Sequence, residues 1–457
     1  MSNNVIKIKE GLDINIPGVA ERRMGSVADG GEYAVMPTDY VGVMPRLLVA
    51  EGDAVVAGTP LFEDKGNAGF AFVSPTSGTV RAIVRGEKRA LLAVVIAADG
   101  EEQSLPYSTD GISDAEGVRR LMIASGAWTL LRQRPFGTIP SVYSKPKAVF
   151  ISAFDSSPLP VDYAYMLEGR EEEFQAGIDA LQRVARTVHL SLHTSQRDTF
   201  IARSENAQIH FFEGPHPCGL VGTQISKIDP INKGESVWTV NVQDVATIGH
   251  LMLKGEYRPE RVIATCGPTL AKPQYYRVLS GIRLDALELT AKSGKENGGS
   301  GQRVICGDVL SGKSVCRPVY YLAAGCDKIS VLPEGDYYDF LGWLRPNLHK
   351  FSFSRTFMSG IFRKTKANGA RYDFDTGMHG GRRPLFVTGE FEKLVPIDIY
   401  PLQLIKACVV GDIELMENLG IYEVEPEDFA LCEFADTSKT EIQAIIRAAL
   451  ENIRKEG

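Results

Sequence analysis

The chain has no C-x-x-C, and its seven cysteines, Cys218, Cys266, Cys306, Cys316, Cys326, Cys408 and Cys432, are odd in number. Cys306, Cys316 and Cys326 recur every ten residues, a spacing that matches no common metal site. A disulfide framework and a structural zinc site are therefore not expected. Nor is an iron–sulfur cluster, which needs closely grouped thiolates. The cysteines read as small buried hydrophobes of a reducing compartment. Long apolar runs are missing too. The longest, Ala90 to Ala98, has strand length and falls far short of the ~20 residues that span a bilayer. The opening MSNNVIKIKE has no apolar signal core. A soluble or peripheral chain is expected. Excess positive charge is absent as well. The net charge of −7 gives no global case for binding nucleic acid.

What is present is ordinary globular material: 457 residues, 44% hydrophobic and 23% charged. That length predicts roughly three or four domains. The stretch around which the rest is organised is EGPHPCGLVGT, Glu213 to Thr223. It follows a strand-like run, Gln208 to Phe212, and looks like the glycine-bearing turn of a nucleotide-binding α/β domain. Such turns hold phosphate with free backbone N–H groups, usually at a helix N-terminus. This turn carries neither G-x-G-x-x-G nor G-x-x-x-x-G-K-[ST]. Pro215 and Pro217 each remove a donor. Gly214, His216, Pro217, Gly219 and Gly222 thus form a degenerate nucleotide-type loop, and the domain is expected to keep a cofactor-binding shape without a cofactor. His216 is read as a turn hydrogen-bonding residue, and no catalytic triad, paired carboxylates or metal cluster is evident.

Four domains are expected: a biotinyl/lipoyl-like β-sandwich over 1–104, a Rossmann-like α/β domain over 105–257, a β-grasp domain over 258–332 and a helical domain over 333–457. In the first, turns at Glu51–Asp53 and Ser74–Gly78 separate short strands. Lys65 lies where a lipoyl-type domain carries its modified lysine, but the loop GNAG that follows is longer and looser, so a solvated lysine is expected. The second domain opens with a Ser113/Glu116 capping box and alternates strands (Ala148–Ala153, Val188–Leu192, Gln208–Phe212) with helices (Glu171–Arg183, and one reaching Leu253). The third pairs two strand–turn units, Arg261–Pro268 and Arg303–Gly312, around a helical piece from Leu279 to Leu289. The fourth carries a basic, aromatic-interleaved tract from Phe353 to Arg383. It ends in a helix that follows a second capping box, Ser438/Glu441. Arg363, Lys364 and Arg371 in that tract are the candidate partner-docking residues of an otherwise acidic chain.

Separated motifs carry a family resemblance over essentially the whole chain. These are IKIKEGLDI (Ile6–Ile14), GPHPCGLVGT (Gly214–Thr223), ISVLPEG (Ile329–Gly335), and the closing Gly411-to-Glu433 segment with EDFALCE. Together they resemble the A subunit of the sodium-translocating NADH:quinone reductase (the NqrA family), and more distantly the C subunit of Rnf complexes and the flavin subunit of respiratory complex I. The resemblance implies a peripheral subunit on the cytoplasmic face of a bacterial inner membrane. The complex passes electrons from NADH through flavins and iron–sulfur to quinone and exports sodium. The distant relatives carry a glycine-rich flavin site and cysteine-rich cluster motifs, and this chain departs from both. The implied role is therefore to organise partners, chiefly the B subunit in the membrane, and quinone access, with no redox centre bound here. A stand-alone flavin or nucleotide oxidoreductase and a lipoyl or biotinyl carrier are the competing functions.

Overall fold

The computed structural model describes residues 5–28, 31–292, 301–337, 350–353, 371–387 and 389–456. Arg363 and Lys364, and Phe357 and Phe362 beside them, lie outside these residues.

A four-stranded sheet, built from Glu32–Val35, Leu91–Ala98, Gly78–Arg85 and Ala54–Val55, faces a three-stranded one, Pro45–Leu47, Pro60–Asp64 and Ala71–Val73. Apolar alternation along these short strands turns one face inward, where Phe62 stacks on Phe72 at 4.5 Å and Tyr40 meets Phe72 edge-on at 4.6 Å.

The α/β unit holds a six-stranded sheet in the order Val5–Lys7, Gln208–Glu213, Val188–His193, Val149–Ser152, Val237–Thr239, Arg132–Arg134. The first five run parallel and the last is an antiparallel edge. Helices Glu171–Val184 and Val242–Lys254 bury Phe174, Ile178, Leu181, Val245 and Ile248 against one face. Helix Val221–Ile228 covers part of the other through Ile225. Trp128 and Trp238 meet edge to face at 5.3 Å, with the Arg119 guanidinium 5.4 Å from the Trp238 ring.

One boundary differs from the expectation. Val5–Lys7, assigned by sequence to the sandwich, pairs with Phe211–Glu213. Ile6 and Ile8 pack beside Phe154, Phe212 and Cys218, so burial on the α/β sheet decides where this strand goes.

A further five-stranded mixed sheet is ordered Gln274–Leu279, Glu260–Cys266, Lys328–Pro333, Gln302–Cys306, Lys313–Ser314. The expected helical piece at Leu279–Leu289 is instead a strand end followed by a 3-10 turn, Leu284–Ala286. Ile282, Leu284 and Leu287 fill the core there without a helical stripe.

Helices Pro401–Val410, Ile413–Asn418, Ala430–Ala435 and Ile442–Glu456 form the C-terminal unit, and Ile442, Ile446, Ala449, Leu450 and Ile453 bury the expected face of the last. Neither capping box forms as expected. Asp114 caps helix Ala115–Ala124 by accepting from Gly117 N–H at 2.9 Å. The Ser438 hydroxyl turns to the Pro384 carbonyl at 3.0 Å, and Glu433 accepts from Gln443 N–H at 2.8 Å.

Candidate functional site

The sheet order reverses at Val149–Ser152, since the next two strands in sequence run to one side of it and Val237–Thr239 to the other. In open α/β sheets the crevice at the carboxyl ends of the strands beside such a reversal is where ligands bind. Three segments frame that crevice: the loop after Ser152, the turn Glu213–Thr223 and the N-terminus of helix Val242–Lys254.

From His216 to Leu220 the N–H groups of the turn are all taken by the protein itself. His216 N–H donates to Asp13 Oδ1 at 3.0 Å, Gly219 N–H to Ser156 Oγ at 2.8 Å, and Cys218 and Leu220 N–H to the Pro215 and Pro217 carbonyls at 2.9 Å. Pro215 and Pro217 have none to give. His216 is buried, with Nδ1 3.0 Å from Ser156 Oγ and its carbonyl accepting from Leu12 N–H at 2.8 Å. Burial holds its imidazole below the ordinary range. Gly11 has φ +134°, and a Cβ there would stand 2.1 Å from the His216 carbonyl oxygen, so this approach requires glycine. Gly214 rests on the Ile8 backbone and Pro217 is buried. The turn is a packing element that clamps the N-terminal segment.

Two neighbouring residues of the mixed sheet, Asp327 and Lys328, reach the edge of this crevice. At the N-terminus of helix Val242–Lys254, Asp327 accepts from Gln243 Nε2 at 2.7 Å, Arg261 Nη2 at 2.8 Å and the Tyr163 hydroxyl at 3.0 Å, and also from the Asn241 amide. Asn241 itself caps the helix through Gln243 N–H at 2.8 Å. Next along the chain, Lys328 enters the loop after Ser152. Its Nζ lies 2.7 Å from Asp155 Oδ2 and 2.6 Å from Ser157 Oγ, with the Pro158 and Leu159 carbonyls at 3.3 and 3.2 Å. Burial works to raise the Asp155 pKa, but Lys328 outweighs it and holds this carboxyl below the usual range.

At the N-terminus of helix Val221–Ile228 a third ionic group converges. Arg134 Nη1 is 3.1 Å from Asp428 Oδ2, Arg134 Nη2 pairs with Glu427, and Arg447 Nη2 is 2.6 Å from Glu425 Oε2. Gly222 makes room for this group, because a Cβ there would come within 2.3 Å of Asp428 Oδ1 and 2.5 Å of Arg134 Nη1. Desolvation first, and Asp428 and Glu425 after it, push the Glu427 carboxyl up to about 7, although its side chain keeps 38% of its surface.

Sequence reasoning missed Asp155, Asp327, Lys328, Arg134 and Asp428. The signal for Arg134 was the RPFG turn, whose Phe136 takes a φ of +87°. It also passed over GDVLSGKS, Gly307–Ser314, which matches G-x-x-x-x-G-K-[ST]. The match is fortuitous. The segment turns between antiparallel strands and opens no helix, and its Leu310 and Ser311 N–H groups are bound by the carboxylate of Asp308 at 2.7 and 3.1 Å.

The remaining candidates stand apart from the crevice. Lys65 is exposed on the turn between Pro60–Asp64 and Ala71–Val73. Asp64 Oδ1 ties that turn to Met44 and Gly66 N–H at 2.9 and 3.0 Å, and Asn67 Nδ2 reaches the Ile139 carbonyl at 3.1 Å. The hairpin is docked rather than free to swing. Arg371 is exposed. Its neighbour Tyr372 packs on Phe351 at 5.3 Å and donates its N–H to the Asn15 carbonyl at 2.9 Å, so this part of the basic tract lies against the protein's own body. Burial pushes the Cys218 and Cys266 thiols up to about 11, the state of inert packing residues. Among the described residues no group of three or more His, Cys, Asp or Glu is placed to hold a metal, and no helix is long and apolar enough to cross a membrane.

The fold and the crevice define a multidomain α/β protein in which side chains of the mixed sheet and of the C-terminal helices pack against the α/β unit. Residues 6–99 match the NqrA N-terminal barrel-sandwich hybrid domain, and 113–257 the NqrA second alpha/beta domain. The A subunit of the Na(+)-translocating NADH-quinone reductase of Haemophilus influenzae (strain 86-028NP) is 38% identical over 459 residues, 99% of this chain and 100% of that one. Those of Actinobacillus succinogenes and Neisseria meningitidis serogroup B are also 38% identical, over 460 and 461 residues, 99% of this chain and all of theirs. The chain belongs to the NqrA family, the A subunits of the Na(+)-translocating NADH-quinone reductase. Among solved structures, an air-oxidized NAD+-reducing [NiFe]-hydrogenase aligns over 75% of this chain and 66% of its own at 13% identity and a TM-score of 0.36, too distant to carry an argument.

Proposed function

We propose that this chain is the redox-centre-free subunit of its complex. It sits on the cytoplasmic face of the bacterial inner membrane and organises partners, chiefly the B subunit in the membrane, together with quinone access. NADH, flavins, iron–sulfur and quinone belong to the complex as a whole, and the enzyme activity is that of the assembly. The observation that carries this reading is the carboxylate of Asp327, seated with four donors at the N-terminus of helix Val242–Lys254, in the crevice where the phosphate of a dinucleotide or flavin would bind. A negative ligand meets a buried negative charge there. The same observation weighs against a stand-alone flavin oxidoreductase, and the docked hairpin at Lys65 weighs against a carrier.

In this reading the α/β unit is Rossmann-like, the mixed sheet is β-grasp-like, and Arg363, Lys364 and Arg371 contribute to docking. Affinity capture of the tagged chain from native membranes, followed by cross-linking and mass spectrometry, tests the partner assignment. Cross-links to the membrane partner support it. Recovery of the chain alone, without other subunits, contradicts it.

A further inference from the structure

Buried parallel strands are ordinarily lined by apolar side chains. One face of the six-stranded sheet departs from this rule beside helix Val221–Ile228. His189 and Ser191 lie two residues apart on one strand and so share that face. Ser152, Ser191 and His210 oppose one another in register across three neighbouring strands. Gln224 of the helix reaches this row, its Nε2 donating to Ser152 Oγ at 2.8 Å. Two oxygens of the group have no hydrogen-bond partner among the described residues: Ser191 Oγ, on a residue 1% exposed, and Gln224 Oε1, on a fully buried one. Buried polar atoms of this kind mark places where a water or an ion belongs.

The two histidines face each other. His189 Nδ1 lies 3.0 Å from His210 Nε2, with the rings tilted by 46°. Phe150 stacks on the His189 ring at 4.6 Å and holds its plane. Burial first, and the neighbouring imidazole after it, push His189 down to about 4, and burial holds His210 below the ordinary range. Asp229, paired with Lys147 at 2.6 Å, only partly opposes this at His189. Both rings are therefore neutral at neutral pH, the form that ligates metals. Two imidazole nitrogens bound about 2.0–2.1 Å from one ion stand about 3 Å apart. The ring that presents an N–H to the other needs only to move that proton to its far nitrogen for both lone pairs to meet an ion.

We propose that His189 Nδ1 and His210 Nε2 hold a zinc-type divalent cation, with water in its other positions hydrogen-bonded to the Ser191 hydroxyl. The ion enters on the side of His210, whose ring is only partly buried. It ties strand Val188–His193 to strand Gln208–Glu213 through side chains as well as backbone. Zinc has no redox chemistry, so the site stands or falls independently of the redox-centre-free reading.

The test uses the full-length chain, stripped by a chelator and titrated with Zn2+ against a chromogenic zinc indicator. The parent is expected to take up one ion with micromolar affinity. His189→Phe, which keeps the stack on Phe150, and His210→Gln are each expected to weaken uptake by roughly tenfold or more. His193→Gln and His379→Gln, at histidines outside the pair, are expected to leave it unchanged. Cu2+, which binds imidazole more tightly, serves as a spectroscopic stand-in. Its electron paramagnetic resonance spectrum should show two coordinated imidazole nitrogens in the parent and fewer in either pair variant. A parent that takes up no Zn2+, or uptake that persists undiminished in both pair variants, leaves the two rings as a hydrogen-bonded pair and overturns the proposal. Should the pair variants fail to fold, the Cu2+ spectrum of the parent decides: two imidazole nitrogens support the site, and one or none overturns it.

Discussion

Arg134 and Asp428 meet at 3.1 Å across 294 residues of sequence, with side-chain exposures of 5% and 1%. Neither charge belongs to the unit of the other. The contact fixes the C-terminal helices against the antiparallel edge strand Arg132–Arg134 and the start of helix Val221–Ile228. Buried pairs of this kind add little net stability when intact but cost much when halved.

Replacing Arg134 by Met should therefore destabilise by roughly 3–5 kcal/mol, because Asp428 is left buried without its partner. The double variant Arg134→Met with Asp428→Leu should recover much of that loss, since an apolar pair needs no desolvation. Urea unfolding of the parent, the single and the double variants decides this. A double variant as unstable as the sum of its singles would contradict it.

Asp39 predicts a pH dependence. It lines a cavity of about 40 Å³ with Tyr40 and Tyr257, and its Oδ2 accepts from Ala324 N–H at 2.8 Å. Desolvation pushes its carboxyl up from 3.8 to about 6, only partly opposed by that N–H. The folded state thus holds the proton more tightly than the unfolded chain. Its contribution to stability is fullest below 3.8 and is lost as pH rises through about 6. Asp39→Asn cannot ionise. Its stability relative to the parent should grow between about pH 4 and about pH 7, by on the order of 1–2 kcal/mol after allowing for solvent screening. A difference that stays flat across that interval removes Asp39 as the cause.

Charge reversal at Arg363, Lys364 and Arg371 together should weaken assembly of the complex while leaving the far-ultraviolet circular dichroism and melting temperature of the isolated chain unchanged. Native gel electrophoresis of membranes expressing the triple variant reads the outcome. Full assembly with normal quinone reductase activity rules the docking surface out.

Much of the architecture is written locally. Continuous apolar runs mark Val149–Ser152 and Val188–His193, and the apolar period marks Glu171–Val184 and Ile442–Glu456, because burial on one face has a fixed spacing along each element. Helix starts were less legible. Ser113 and Ser438 fit a capping pattern, yet Asp114 and Glu433 supply the oxygens that reach the N–H groups. The crevice was legible only as a turn lacking donors. Its occupants arrive from far away, Lys328 reaching Asp155 across 173 residues and Arg134 reaching Asp428 across 294. No spacing rule connects residues so separated. One lysine or arginine among 50 carries no mark of the partner it will find.

The central claim is that the ligand positions of a cofactor-type scaffold are filled by the chain's own carboxylates. It is tested most directly by separating the folded subunit from its complex and measuring its visible absorbance, its flavin released by acid and its iron content. The account predicts a colourless subunit without stoichiometric flavin or iron, while the remaining complex retains its colour. A stoichiometric flavin that stays with the folded subunit would contradict it.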